Sequence, residues 1–145
     1  MPKVSKTINR IIDANINRAK EGLRVCEEIT RFILRSRSLT AELKEARHKI
    51  SILLAALPRA GELIKGRYTL SDVGRDIYGS ELKRKDCRDI FFANIQRVKE
   101  STRVLEEFTK LDNIKTAVAF KRLRYSIYNI EKKVMSRFSS SYCRR

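Results

Sequence analysis

IIDANINRAKEGLRVCEEITRF, residues 11–32, and IFFANIQRVKESTRVLEEFTKL, residues 90–111, are the two stretches that decide the fold. Aligned without gaps, they share 12 of 22 residues, and each contains A-N-x-x-R-x-K-E-x-x-R-V-x-E-E. A shorter echo follows each one. Lys44 and Arg47 stand before Ile50, and Lys121 and Arg124 stand before Ile127. The chain therefore reads as two related halves, residues 8–57 and 82–138, each a long helix followed by a second helix.

Periodicity carries the helix reading. Ile8, Ile12, Ile16, Ala19, Leu23, Cys26 and Ile33 recur at spacings of three, four and seven, which puts them on one apolar stripe. Glu27 and Arg31 stand four apart in the favourable order for a surface pair. Ser36 to Thr40 is polar and β-branched enough to break the helix, with Ser38 or Thr40 as cap of the next. The second helix is expected to run to about Leu57, before Pro58. The third runs from Leu82 to about Leu111, Asp112-Asn113 makes a turn, and the fourth runs from Ile114 to about Phe138. Residues 139–145 form a frayed tail. The expected fold is all-α: two helical hairpins related by a pseudo-twofold axis, packed as a four-helix bundle or close variant.

Length and composition agree. At 145 residues the chain is one domain's worth, too short for an eightfold strand–helix barrel, which needs roughly 200. Five glycines and two prolines are too few for a sandwich of tight turns. Lys and Arg number 33 and Asp and Glu 17, a net charge of +16 that attracts anions: nucleic acid, anionic membrane or phosphorylated metabolites. Cys26, Cys87 and Cys143 give no disulfide framework, and His48 is the one histidine, so a Cys/His zinc site has few routes. The longest apolar run, Ile52 to Leu57, falls far short of the ~20 residues a membrane helix needs. A reduced, cytoplasmic protein without a membrane partner is expected.

The stretch between the halves, 58–81, holds Gly61, Gly66, Gly74 and Gly79. Glycine permits positive φ and close approach to a ligand, and a loop this long is often functional. A flexible crossover between hairpins is the other reading. Its G-x-x-x-x-G is followed by Arg67-Tyr68, not by the Lys and Ser or Thr of a phosphate-binding loop.

Several polar residues stand out on a helical wheel. Asn15 lies near the centre of the apolar stripe, and Asn94 takes the equivalent place. A buried amide needs a partner, whether another helix, water or a ligand. Arg18 and Glu21 sit at the stripe's edge, and Arg97 and Glu100 repeat them. Glu21, Arg24 and Glu28 are spaced to pair along a solvated face. Lys44 with Arg47, and Lys121 with Arg124, suit phosphate oxygens, though ordinary helix surface would look the same. Tyr125 and Tyr128 are placed to stack on a ring, but their spacing is more often that of core residues. Cys26, in the stripe, reads as core rather than nucleophile.

These residues carry a resemblance. Ile11 to Asn15, Arg18, Glu21 to Val25 and Glu27-Glu28 resemble the opening of a small all-helical family often fused in front of thiamine-phosphate synthase (pyrophosphorylase). The likeness continues through Asp72-Val73-Gly74, Arg84, Asp89, Ala93-Asn94, Arg97, Glu100 and Arg103 to Glu107. It ends with Phe120-Lys121, Arg124-Tyr125 and Tyr128, covering roughly residues 8–131. The family is that of the monofunctional 4-amino-5-hydroxymethyl-2-methylpyrimidine phosphate kinases. The resemblance implies an ATP-dependent phosphotransferase of thiamine biosynthesis that makes the pyrimidine diphosphate, with Mg²⁺ accompanying ATP. It implies catalytic roles among Arg18, Arg97, Glu21 and Glu100. Asn15 and Asn94 would read the pyrimidine edge, and Lys44, Arg47, Lys121 and Arg124 would hold phosphate. Asp72, Gly74 and Arg84 would form a nucleotide loop, with Asp72 and Asp76 on the metal. Tyr68 departs from the family pattern, standing where an acidic residue is expected between Arg67 and Thr69, so Asp72 or Asp76 would substitute.

Two other function classes remain at this level. A nucleic-acid-binding domain would use the +16 charge directly, but the basic residues alternate with Glu and no recognised motif appears. A non-catalytic helical module docking on a separate thiamine-phosphate synthase would form a complex without turnover. Either a monomer or a homodimer is compatible with the pattern.

Overall fold

A computed structural model of the chain describes residues 2–76 and 79–138. Four long helices account for most of it: α1 (Pro2–Glu28), α2 (Arg37–Ala55), α3 (Cys87–Thr109) and α4 (Ile114–Arg137). The described residues contain no strand. Helix α1 packs on α2 and α3, and α4 packs on α3 and α2, closing a four-membered ring whose diagonal pairs barely touch. This is the four-helix bundle expected from the repeat.

The apolar stripes meet inside it. Ile12, Leu23 and Cys26 of α1, Leu43 and Ile50 of α2, Phe91, Ile95 and Leu105 of α3, and Phe120 and Ile127 of α4 are fully buried. Helices α1 and α3 run antiparallel. The Cys26 thiol donates to the Phe91 carbonyl at 3.7 Å, while one turn earlier Gly22 faces the Asn94 carbonyl and Val98. A Cβ on Gly22 would stand 2.7 Å from Val98 Cγ2 and 3.0 Å from Asn94 O, so only glycine lets the helices come this close. Cys26 is core, and burial pushes its thiol pKa up, away from nucleophilic use.

The first hairpin departs from a regular helix. After Glu28 the chain makes a π turn, Ile29–Ile33, which shifts the register. Ile29, Thr30 and Leu34 are buried, and Ile33, expected on the stripe, is only half-buried. Arg35 then takes a left-handed φ of 52°, and the Ser36 amide returns to the Thr30 carbonyl at 2.9 Å. The cap of α2 is Ser36, whose hydroxyl accepts from the Leu39 amide. Neither Ser38 nor Thr40 takes that role: Ser38 is inside the helix, and the Thr40 hydroxyl donates to the Ser36 carbonyl at 2.7 Å. Helix α3 starts at Cys87 rather than Leu82, because the Asp86 side chain caps it through the Asp89 amide at 3.0 Å. Asn113 caps α4 through the Lys115 amide.

The central segment is less regular. It is a chain of short 3₁₀ turns at Ala60–Glu62, Ile64–Gly66, Thr69–Ser71 and Gly79–Leu82. Leu63 is buried in the core, and Arg59 clasps Asp112 in the α3–α4 turn with two 2.6 Å contacts. None of the described glycines has positive φ. What Gly74 supplies is its amide, which donates to Asp72 Oδ1 at 2.9 Å. Residues 139–145, expected to fray, and Cys143 with them, lie outside the described residues. No helix among those described is long and apolar enough to cross a membrane.

Candidate functional site

The outer face of α1 meets the central loop in a cleft of about 470 Å³. Helical spacing brings Arg10, Asp13, Ala14, Asn15, Asn17 and Arg18 to that face, and the loop contributes Arg67, Tyr68, Thr69 and Asp72. Arg67 fastens the loop to the helix. Its guanidinium donates to both Asp13 oxygens, at 2.7 and 2.8 Å. The Asp13 carboxylate holds Arg67 in its charged form, chiefly by those hydrogen bonds. Arg10 adds two longer contacts, to the Tyr68 carbonyl and Ser71 Oγ, each 3.4 Å. Three guanidiniums and two carboxylates thus line one opening, and one carboxylate is already engaged.

Asn15 is buried, and its amide group donates to the Ile11 carbonyl at 2.8 Å within its own helix. Its Oδ1 faces the cleft side and accepts from Arg18 at 3.5 Å. Asn94 makes the same bond to Ile90, at 2.8 Å. Each asparagine donates within its own helix, and neither bridges to another helix among the described residues.

A second concavity of about 420 Å³ lies between α3 and α4, lined by Gln96, Lys99, Glu100, Arg103, Arg124 and Tyr128. It shares no residue with the α1 cleft. Tyr125 and Tyr128 beside it are 57% and 42% exposed, so they are surface residues and not core.

The repeated charges form two matching networks. In the first half Glu27 is buried and pairs with Arg47 of α2 at 3.1 Å and Arg24 at 3.5 Å; Arg24 also reaches Glu28. In the second half Glu106 pairs with Arg124 of α4 at 2.9 Å and Arg103 at 2.8 Å; Arg103 also reaches Glu107. Arg47 and Arg124 therefore stitch each hairpin, and Glu106 raises the Arg124 pKa. Glu27 turns inward to Arg47 instead of pairing with Arg31, whose guanidinium sits 4.9 Å over Phe32.

The sequence-selected residues therefore separate. Asn15, Arg18 and Asp72 share the α1 cleft, and Glu100 and Arg124 share the α3–α4 groove. Arg97, Glu21, Asn94, Lys44, Lys121, Gly74, Arg84 and Asp76 line neither. Asp72 lines the α1 cleft and Asp76 does not, and among the described residues no three metal-ligating side chains cluster. Arg10, Asp13, Asn17 and Arg67 complete the cleft although the repeat did not single them out. The signal that marks Asp13 and Arg10 is a break in the repeat: their equivalents are Phe92 and Asp89.

Fold and cleft define a class: an all-helical protein made of two matching hairpins, with one arginine-lined cleft on the first. Comparison with known sequences is more specific. The model of the ThiD2 family matches residues 10–133, and the chain belongs to that family. A thiamine-phosphate synthase of Nostoc sp. is 36% identical over 99% of this chain and 40% of its own length. One from Synechocystis sp. is 41% identical over 90% of this chain and 37% of its own. A third, from Rhodopirellula baltica, is 40% identical over 86% of this chain and 33% of its own. The chain thus spans about a third to two-fifths of the length of these relatives. No solved structure matches it.

Proposed function

We propose that this protein is a kinase of thiamine biosynthesis, which phosphorylates 4-amino-5-hydroxymethyl-2-methylpyrimidine phosphate to the diphosphate with ATP. The observation that carries the reading is the convergence of Arg10, Arg18 and Arg67 with Asp72 in the α1 cleft. Phosphoryl transfer asks a protein for positioning and charge neutralisation more than for covalent chemistry. An oxygen of the pyrimidine's phosphate attacks the γ-phosphorus of ATP, and the bond to the β–γ bridging oxygen breaks, releasing ADP. Arg18, 3.5 Å from Asn15 Oδ1, and Arg10, which meets only neutral oxygens, offer unbalanced positive charge to phosphate, while Arg67, balanced by Asp13, holds the loop in place.

The donor set suits a Mg²⁺ ion arriving with the nucleotide. Such an ion needs only one or two protein carboxylates when phosphates and water fill the other positions. Asp72 has one oxygen turned to the Gly74 amide and the other without a hydrogen bond among the described residues, and Asp13 is engaged with Arg67. Asp72 is therefore the residue that would hold the ion, which neutralises charge on the phosphates. It takes over the acidic role expected at position 68.

The relatives supply the pathway: they are named thiamine-phosphate synthase, and this chain matches a part of each. A thiamine-phosphate synthase is the partner we propose for this protein. The test is an assay of the purified chain with ATP, Mg²⁺ and the pyrimidine monophosphate, following both products. ADP and pyrimidine diphosphate formed one for one support the reading. A folded protein that produces neither, with several divalent metals tried, contradicts it.

A further inference from the structure

We propose that the groove between α3 and α4 is a second ligand site, which takes a planar heteroaromatic ring bearing an exocyclic amine, the chemistry of a nucleobase. The proposal stands apart from the reading of the α1 cleft, because the two concavities share no residue.

Three features of the groove argue for a ring. The first is an aromatic wall left open to solvent. Tyr128 lines the groove and Tyr125 stands beside it, their centroids 5.9 Å apart, and the two residues are 42% and 57% exposed. Tyrosine suits such a place, with an apolar ring body and a hydroxyl that stays wet, and is enriched at binding surfaces for that reason.

The second is rigidity. The Arg124 guanidinium lies 5.3 Å from the Tyr125 centroid and 5.9 Å from that of Tyr128, and it is anchored behind them by buried Glu106. Lys99 stands 5.4 Å from Tyr128 and is anchored by Glu131 at 3.0 Å. The stacking surface is thus fixed before anything binds, which lowers the entropic cost of binding.

The third is the opposite wall. Gln96 and Glu100 are one helical turn apart, and the Gln96 amide donates to Glu100 at 2.9 Å. That pair leaves a second carboxylate oxygen as acceptor and an amide beside it. An amino group next to a ring nitrogen complements that pattern.

The charges argue against a site for phosphate alone. Lys99, Arg103 and Arg124 are each already paired with a glutamate. The groove is therefore close to electrically balanced, and ring stacking carries recognition. The first half has no counterpart: Tyr125 and Tyr128 correspond to His48 and Ser51.

The experiment is calorimetric titration of the full chain with adenosine, inosine, AMP and inorganic phosphate. Adenosine and AMP are expected to bind with similar affinity, and inosine, which lacks the amine, more weakly. Tyr128→Ala should weaken adenosine binding about tenfold or more, the usual scale for losing one stacking partner. Tyr128→Phe should retain it. Arg18→Ala, which strikes the other cleft, should leave adenosine binding unchanged even where it abolishes turnover, so the two readings fail separately. Inosine binding as tightly as adenosine, or inorganic phosphate displacing adenosine, overturns the proposal. So does adenosine binding that survives Tyr128→Ala, or none at millimolar concentration.

Discussion

At position 13 the first long helix carries an aspartate; at the equivalent position 92 the third carries a phenylalanine. Asp13 holds Arg67 and with it the central loop over an open cleft. Phe92 stacks edge-on against Phe91 and tilts against Phe138, and the same region of the second half is closed with rings. One turn towards the N-terminus the contrast repeats. Arg10 reaches the loop, whereas its equivalent Asp89 accepts from the Lys85 amide near the start of α3. The buried Glu27–Arg47 pair, by contrast, recurs as Glu106–Arg124. What the two halves share is scaffold, and the α1 cleft lies where they differ.

The comparison breaks most directly at positions 13 and 92. Asp13→Ala unfastens Arg67 without emptying the core. Kinase turnover is expected to fall roughly ten- to a hundredfold, since small misplacements of a positioning group cost that much. The melting temperature should stay within a few degrees. Phe92→Ala should do the reverse, costing about 2 kcal/mol by chemical denaturation because the ring is only half-buried, with turnover per folded molecule unchanged. Equal loss of turnover in both variants would erase the distinction.

The matched ion pairs give the next test. Glu106→Gln should destabilise by about 2 kcal/mol, the scale of a charged hydrogen bond whose partner stays behind. Glu27→Gln should cost less, because the Arg47 side chain is 27% exposed and that of Arg124 only 12%. Urea denaturation of both variants would show the order.

A smaller effect is expected where the helices cross. Gly22→Ala must part α1 from α3, a clash that typically costs 1–3 kcal/mol. Better helix propensity returns about 1 kcal/mol of that, so the net loss is about 1 kcal/mol. The equivalent residue, Ser101, already has a side chain, whose hydroxyl donates to the Arg97 carbonyl at 2.7 Å. Ser101→Ala should fall within about 1 kcal/mol of the parent.

The smallest effect is electrostatic. A hydrogen bond from Lys110 lowers the Glu107 pKa below its ordinary 4.5. A lowered carboxyl pKa stabilises the folded chain above the unfolded value, and that contribution disappears as pH falls through the folded value. Lys110→Gln should therefore reduce the melting temperature slightly at pH 7 and not at pH 2.5. Glu107 is exposed, and salt should shrink the difference.

Much of this was legible in the residues themselves. The repeat and its period specify the helices, their hairpin pairing and the buried faces, because those depend on local spacing. The π turn at Ile29–Ile33 was not legible, since its register shift is set by packing at the end of the hairpin. Nor was the start of α3: Leu82 continues the apolar pattern, but the Asp86 cap outweighs it. For the cleft, Asn15 and Arg18 stand out on the wheel, while Asp72 is marked only by the family resemblance. Arg67 does not, because its role needs a partner 54 residues away in sequence. Similarity between the halves also drew attention to Arg47 and Arg124, whose repetition reflects hairpin stitching.

The central claim is that the α1 cleft transfers phosphate and that its repeat partner on α3 does not. The direct measurement is kcat/KM of Arg18→Ala and Arg97→Ala, side by side, in the ATP and pyrimidine monophosphate assay. Loss of one fixed cation facing the transferring phosphate costs roughly 100-fold or more, and that is expected for Arg18→Ala. Arg97→Ala should stay within about threefold of the parent, since Arg97 lines neither concavity. An equal, large loss in both variants, or a loss confined to Arg97→Ala, would contradict the account.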